Sequence, residues 1–402
     1  MNRLSLFLPL VALTTLMLGC AFGDGPKSTF GVVTFAQGGI GIIDTDTQTV
    51  GAPLLTTELG TMGGGRFDVV ITPDGSTTLV SNFGDSQVFF IDTTKTTAPA
   101  VLGSVEVGFF AEDIALTPNG KFALVTDGGY SSKIAVINVA TRALVETYTA
   151  AEIITDPTTE PPTGYTPMFQ SVVVSSDGTT VLAADYFNGM LEALTIDASG
   201  HLTFVSSIDL SPTSTTVDIH PINVSISPNG KVAVVAASAD AVDMVFPVLT
   251  ITAPGIVHLS DSVSPSVSLQ GAQSVVFNSD GTKAYLNCVQ EVTDPAPVVP
   301  LNNLIVELNV SAAGGVTESG NTVEMGFNGT SELFGVDTLA MDPMGQFLYV
   351  SNMTLGEAKN QIQVVDVKNH TIYKTVSFDP IDIDADGKAD LTLPTGIYIK
   401  PF

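Results

Sequence analysis

Basic residues are scarce in this chain. Its 402 residues include 14 Lys and Arg against 41 Asp and Glu, which gives a formal net charge of -27. Proteins that hold a phosphate backbone do so with Lys and Arg, so this balance argues against nucleic acid as a partner. With 44% hydrophobic and 14% charged residues, the chain nevertheless has enough apolar side chains to bury a large core, which excludes wholesale disorder.

Cysteine is also rare, with two residues in the chain. A short basic start is followed by the apolar run Leu4–Leu18, which at about fifteen residues is too short to span a bilayer. The run ends in Met17-Leu18-Gly19-Cys20, which resembles the lipobox of bacterial lipoproteins, where the cysteine is acylated. The resemblance implies a signal peptide over 1–19, a lipid-anchored tether over 20–29 with Cys20 as the lipidation site, and an outer-membrane lipoprotein of the cell envelope, facing the periplasm or the cell surface. The alternative is an ordinary secretory signal. A lipidated Cys20 leaves Cys288 without a partner, so no intrachain disulfide is expected.

Short apolar runs that end in a tight turn recur along the chain. In each run the first and third residues are apolar and the fourth is polar, which is the period of a β-strand, and a glycine that accepts a positive φ closes the turn. The six runs are Val69–Gly75, Ile114–Gly120, Val172–Gly178, Val224–Gly230, Val275–Gly281 and Leu339–Gly345. Further strand patterns follow the turns, as in Thr78–Asn82 and Gln87–Asp92.

Four antiparallel strands per repeat are typical of a β-propeller blade. A seventh repeat is split, because Phe30–Thr34 begins at the second strand and Gly396–Pro401 supplies the missing first strand. The sequence therefore predicts an all-β chain whose residues 30–402 form one seven-bladed β-propeller domain of four-stranded antiparallel blades. The C-terminal strand would pair into the N-terminal blade and close the ring without a free edge.

Two second strands carry a recognisable signature. Leu348-Tyr-Val-Ser-Asn352 and Leu79-Val-Ser-Asn82 resemble the YVTN-type repeats of surface and periplasmic proteins and of lactonase-like seven-bladed propellers. The resemblance covers residues 28–402 and implies the propeller fold, whereas it says little about function because propellers host many activities. The absence of Trp argues against the Trp-Asp repeat class and against quinoprotein dehydrogenases.

Long connections are expected on one end of the propeller, where a rigid scaffold usually presents a site. They are residues 150–169, 210–221, 289–303, 325–336 and 378–395. The polar residues before each first strand are expected to ring the mouth of the axial channel and to bind a ligand there. They are Arg66, Asp68, Asp113, Gln170, His220, Asn223, Gln273 and Asp337. A merely wet, polar channel without a ligand is the alternative.

His220 is the one histidine expected at the channel mouth. In lactonase-like propellers a basic or His residue near the axis serves ring opening, so the resemblance implies His220 as a catalytic residue, with Asp113, Glu112 or Asp337 as acid or base. A structural or simply exposed histidine is the alternative. The chain has four His and three Arg, and no Gly-x-Ser-x-Gly elbow, Cys–His pair or zinc-ligand spacing accompanies them.

One loop has the spacing of calcium ligands. Carboxylates stand at loop positions 1, 3, 5 and 9, and the Lys388 carbonyl stands at position 7, with Gly387 at position 6. The predicted metal ligands are Asp382, Asp384, Asp386, Lys388 and Asp390. Position 12 is Leu393 rather than Glu, so the loop departs from the EF-hand and a structural Ca2+ of weak affinity is expected; a solvated acidic loop is the alternative.

Taken together, the scarcity of His and Arg and the missing nucleophile motif favour a non-catalytic binding or scaffolding module. It would be anchored to the membrane through Cys20, stabilised by calcium, and would offer its loop-bearing face to a protein, glycan or small-molecule ligand. The alternative is a lactonase-type hydrolase that uses the mouth of the axial channel.

Overall fold

The chain is built of β-strands throughout the part that the computed structural model describes. That part comprises residues 29–35, 38–55, 58–59, 68–129, 131–150, 153–156, 163–165, 167–211, 219–239, 244–290, 301–328, 339–352, 361–378 and 394–400. No helix in these ranges is long and apolar enough to cross a membrane. The predicted lipobox cysteine, Cys20, and the predicted calcium loop lie outside the described residues.

Thirty strands are defined along these ranges. The first half comprises β1 (Gly31–Phe35), β2 (Ile40–Asp44), β3 (Thr49–Val50), β4 (Val69–Ile71), β5 (Thr77–Asn82), β6 (Gln87–Asp92), β7 (Ala100–Glu106), β8 (Ala111–Leu116), β9 (Phe122–Asp127), β10 (Lys133–Asn138), β11 (Ala143–Thr149), β12 (Ile153–Asp156), β13 (Thr163–Tyr165), β14 (Phe169–Val174) and β15 (Thr180–Asp185). The second half comprises β16 (Met190–Ile196), β17 (Leu202–Asp209), β18 (Ile219–Ile226), β19 (Val232–Ala239), β20 (Phe246–Ala253), β21 (Ile256–Val263), β22 (Leu269–Phe277), β23 (Lys283–Gln290), β24 (Leu301–Val310), β25 (Val316–Asn328), β26 (Leu339–Met341), β27 (Phe347–Asn352), β28 (Gln361–Asp366), β29 (Thr371–Ser377) and β30 (Pro394–Ile399).

The strands form seven antiparallel sheets of four, which we call blades 1 to 7. Blade 1 is β30-β1-β2-β3, and blades 2 to 7 are β4–β7, β8–β11, β14–β17, β18–β21, β22–β25 and β26–β29. Blades 5 and 6 are joined by one pairing, Ser238 with Gly271, and β12 and β13 form a separate hairpin between blades 3 and 4. The first strand of each blade contacts the first strands of its two neighbours, so these seven strands form a closed ring around the axis. We call them the inner strands. The predicted seven-bladed propeller is confirmed.

The two ends of the chain meet in blade 1, as expected. β30 pairs antiparallel with β1, with Val32 opposite Tyr398. The backbone N–H of Lys400 donates to the Phe30 carbonyl at 2.9 Å, and the hydroxyls of Thr34 and Thr395 are 2.9 Å apart in a buried position. No sheet edge is therefore left open at the seam of the ring.

The repeated turns pack against one another around the ring. In blade 2 the Thr72 hydroxyl donates to the Asp74 carboxylate at 2.7 Å, and Gly75 adopts a φ of 75° that the turn requires. The corresponding glycine of blade 3, Gly120, lies so close to Pro73 that a Cβ on it would be 2.8 Å from the proline Cδ. The Pro and Gly of the repeat thus serve contacts between blades as well as the turn itself.

The core lies between the blades. Side chains that alternate along β5 and β6, such as Leu79 and Phe90, pack against Ile114 and Val125 of blade 3. The signature serine of blade 2 also bridges the blades, because the Ser81 hydroxyl donates to the Glu112 carbonyl at 2.7 Å. Hydrophobic contacts and this hydrogen bond together hold the start of β8 against blade 2.

Candidate functional site

One end of the propeller carries the starts of the inner strands and the loops between second and third strands. We call it the loop-bearing face. Of the polar residues predicted there, Asp68, Glu112, Asp113, Gln170, His220, Asn223 and Gln273 are described, while Arg66 and Asp337 lie outside the described residues. Much of each predicted long connection also lies outside them. The site can therefore be built from its inner-strand residues.

Asp68 and Asp113 stand at the same position of neighbouring blades, and their carboxyl groups are hydrogen-bonded to each other. Asp68 Oδ2 accepts the backbone N–H of Ile114 at 3.2 Å, and Asp113 Oδ2 accepts that of Val172 at 2.7 Å. Burial raises the pKa of Asp68 well above its usual range, and the Asp113 charge raises it further. Asp68 therefore favours its protonated form more than an ordinary aspartic acid does.

Tyr398 adjoins this pair, and the sequence reasoning did not select it. Burial raises the pKa of its phenol to about 12, and the proximity of the Asp68 carboxyl group contributes. The signal available in the sequence was its place in the closing strand, two residues after Gly396, which is the counterpart of Asp68 in blade 1. The phenol of blade 1 therefore lies near the Asp68 carboxyl group of blade 2 and packs against the hydrophobic core.

Asn223 continues the chain of contacts around the ring. Its Nδ2 donates to the Ser171 hydroxyl at 3.2 Å, and its Oδ1 accepts the backbone N–H of Val275 at 3.1 Å. Gln170 is half-buried and Gln273 is buried on the same face. The ring that was predicted to bind a ligand is therefore also a set of hydrogen bonds that hold adjacent blades together.

His220 is half-buried at the start of blade 5, on the loop-bearing face as predicted. Its Nδ1 lies 3.0 Å from the Tyr186 carbonyl oxygen, and its ring stacks on the Tyr186 ring with 5.0 Å between centroids. A carbonyl only accepts, so Nδ1 carries a proton, which leaves Nε2 as the nitrogen that can act as a base. No hydrogen bond joins His220 to Asp113 or Glu112 in the described part of the chain.

An aromatic stack that the sequence reasoning missed lies beside these groups. The rings of Phe83 and Phe110 are stacked with centroids 4.7 Å apart, and the Phe110 side chain is 48% exposed. Gly128 lies under the stack, where a Cβ would overlap the Glu112 carboxylate and the Phe83 ring. The Gly128-Gly129 dipeptide was the available signal, because adjacent glycines often mark a close approach of other groups to the backbone.

The family model for lactonases with a seven-bladed β-propeller matches residues 157–382, which is more than half of the chain. The chain belongs to this family. The chain also resembles a functionally unknown protein from Desulfotomaculum acetoxidans, at 18% identity and a TM-score of 0.68, with 93% of this chain and 99% of that chain covered. No curated protein matches it.

Two further solved structures share the fold. A candidate 6-phosphogluconolactonase from Bacteroides uniformis is 14% identical, with a TM-score of 0.65 over 93% of this chain and all of that chain (100%). A periplasmic gluconolactonase from Pseudomonas aeruginosa is 16% identical, with a TM-score of 0.60 over 92% of this chain and 99% of that chain. At these identities the likeness shows the fold alone.

The prediction of a non-catalytic binding or scaffolding module is wrong. Membership of the lactonase propeller family favours the alternative, a lactonase-type hydrolase. The prediction failed because it required a nucleophile motif and several His or Arg residues. Ring opening by water requires an acid and a base, which need no nucleophile motif.

Proposed function

We propose that this protein is a lactonase-type hydrolase that opens a lactone ring with water at the mouth of the axial channel. The observation that carries the proposal, given the family, is the hydrogen-bonded pair of Asp68 and Asp113, in which one carboxyl group can act as an acid and the other as a base. Two carboxyl groups that share a proton are a known arrangement for activating water. Both residues are half-buried, so they remain open to a small ligand.

The proposed reaction uses both members of the pair. The Asp113 carboxylate takes a proton from water, and the water oxygen adds to the lactone carbonyl carbon. The bond between that carbon and the ring oxygen then breaks, and the Asp68 carboxylic acid gives its proton to the departing ring oxygen. The product is a hydroxy acid that ionises in solution, and a proton passes from Asp113 to Asp68 to restore the starting state.

Positioning of the pair follows from the fold. The N–H groups of Ile114 and Val172 hold the two carboxyl groups in place from the neighbouring strands. His220 offers a second base through Nε2. It is therefore the alternative candidate for the general base in the same reaction. Its ring is held by Tyr186, so a replacement that keeps the Nδ1 contact isolates the role of Nε2.

The test is a proton-release assay with glucono-1,5-lactone and an aliphatic γ-lactone, corrected for hydrolysis in buffer. We expect Asp113→Asn and Asp68→Asn to lower kcat by about 100-fold or more, because Asn keeps the acceptor for the backbone N–H and loses the proton transfer. Asp261→Asn, at an exposed residue of β21, is the matched control. A wild-type protein that does not accelerate any lactone overturns the proposal. If His220→Asn loses activity and Asp113→Asn keeps it, His220 is the base instead.

The lipid anchor and the calcium loop are part of this proposal and remain predictions from the sequence. Lipidation of Cys20 would place the hydrolase in the cell envelope, and a calcium ion held by the loop of Asp382–Asp390 would order the approach to the closing strand. A Cys20→Ser variant that still needs detergent for release from membranes would contradict the lipid anchor.

A further inference from the structure

The stacked pair of Phe83 and Phe110 forms a flat apolar surface on the loop-bearing face. Phe110 is half exposed although it adjoins a tightly packed region, because Gly128 and Gly129 fill the space beneath the rings. Glu112 lies against the same glycine, and Asp113 follows it in β8. An exposed ring next to carboxylates suits a compact, uncharged ring that has one apolar face and hydroxyl groups at its edge.

Acidic side chains outnumber basic ones on the described part of this face. Among the described residues, the ionisable side chains at this end include Asp85, Glu106, Glu112, Asp113, Asp127 and Asp209. Lys133 is the sole basic side chain at this end in the same part of the chain. The other described basic residues, such as Lys121, Arg142 and Lys231, follow or precede turns at the opposite end. A face of this composition repels anions and is indifferent to neutral molecules.

We propose that the substrate is a neutral lactone whose ring stacks on Phe110, and that the acidic face excludes lactones that carry a phosphate group. This inference rests on the proposed lactonase function and names its substrate class. The same charges act on the product, since ring opening turns a neutral lactone into a carboxylate. Repulsion then favours release of the product, so the enzyme is weakly inhibited by the hydroxy acid that it makes.

The first experiment compares kcat/KM for glucono-1,5-lactone and for its 6-phosphate with the full chain. We expect the neutral lactone to be preferred by at least about tenfold at low salt, and we expect added salt to narrow the difference by raising the rate of the phosphorylated lactone alone. The double variant Asp85→Asn with Glu106→Gln is expected to act in the same direction as salt, without changing the rate for the neutral lactone.

A second experiment addresses Phe110. Phe110→Leu is expected to raise KM for the neutral lactone severalfold with kcat within about twofold, whereas Phe110→Tyr is expected to keep the wild-type KM, since tyrosine keeps the flat aromatic surface and leucine does not. An unchanged KM in Phe110→Leu would show that the substrate does not stack on Phe110.

The outcomes separate the two proposals. Preference for the 6-phosphate, or strong inhibition by gluconate, overturns the neutral substrate and leaves the lactonase function standing. Failure to accelerate either lactone overturns the function and this inference with it. Preference for the neutral lactone that does not change with salt or with Asp85→Asn and Glu106→Gln overturns the electrostatic explanation.

Discussion

The carboxylate of Asp113 in blade 3 accepts a hydrogen bond from the backbone N–H of Val172 in blade 4, with 2.7 Å between Oδ2 and N. Asp68 makes the same contact with Ile114, and Asn223 makes it with Val275. One position of the repeat thus links each of these blades to the next. The same hydrogen bonds that join neighbouring blades also hold these side chains in place at the channel mouth.

Asp113→Ala should lower the free energy of unfolding by about 1–3 kcal/mol, because the N–H of Val172 then loses a charged acceptor in a half-buried site. Asp113→Asn should stay within about 0.5 kcal/mol of wild type, since its amide oxygen still accepts. Urea unfolding of the two variants measures the difference. Equal stabilities would show that the contact between blades contributes nothing.

Glu192 gives a stability change with a defined pH window. Burial raises its pKa to about 7, with a further contribution from the negative charge of Asp185, and the Tyr148 hydroxyl donates to it at 3.4 Å. Since the folded pKa is above the usual value near 4.5, ionisation costs stability as the pH rises from about 4.5 to 7.

Glu192→Gln should therefore be more stable than wild type above pH 7, by up to roughly 3 kcal/mol, and similar to it at pH 4. Melting temperatures across pH 4–9 measure this. A constant difference between the two proteins at every pH would mean that the carboxyl group does not titrate in this range.

The contribution of Glu307 to stability should depend on pH in the opposite direction. Burial alone would raise its pKa, but hydrogen bonds from Lys283 at 2.7 Å, from Asn321 at 3.1 Å and from His370 lower it to about 2. The stabilisation is complete above about pH 4.5 and is lost as the pH falls towards 2. Glu307→Gln should cost about 1–3 kcal/mol at pH 7 and little at pH 2. Glu324→Gln, an exposed residue of β25, is the control in acid unfolding, and a matching loss in both variants would exclude the ion pairs as the cause.

Removal of residues 393–402 should destabilise the entire ring, because it deletes β30 and exposes the edge of β1. We expect one transition at a clearly lower melting temperature rather than fraying of blade 1 alone. Removal of Pro401 and Phe402 alone keeps the bond from Lys400 to Phe30 and serves as the control. An unchanged melting temperature after the longer deletion would contradict a closure that stabilises the whole fold.

Millimolar Ca2+ should raise the melting temperature, and Mg2+ should raise it less, because an extracellular type of loop binds Ca2+ with a Kd of roughly 10⁻⁴ to 10⁻³ M. Asp384→Asn together with Asp386→Asn should abolish the response and barely change the metal-free protein. Thermal shift with and without chelator measures it. An equal response in both proteins would mean that Ca2+ acts by screening the acidic surface.

The repeated turns, the split blade and the signature serines could be predicted from the sequence because each depends on neighbours in the chain. The alternation of a strand, the glycine of a turn and the polar fourth residue of each run are all local features. The hydrophobic faces of the strands can then be buried by stacking successive repeats. The place of His220 on the loop-bearing face followed from the same reasoning, since its position in the repeat determines the end of the blade on which it lies.

The sequence by itself therefore determined the number of blades, their order and the closure of the ring by the last strand. The tertiary structure decided which polar residues meet. Asp68 contacts Asp113, and Phe83 stacks on Phe110, only because adjacent blades bring their loops and inner strands together. Burial at that junction then sets the pKa of Asp68. The sequence reveals neither the contact nor the burial, because both depend on residues that are far apart in the chain.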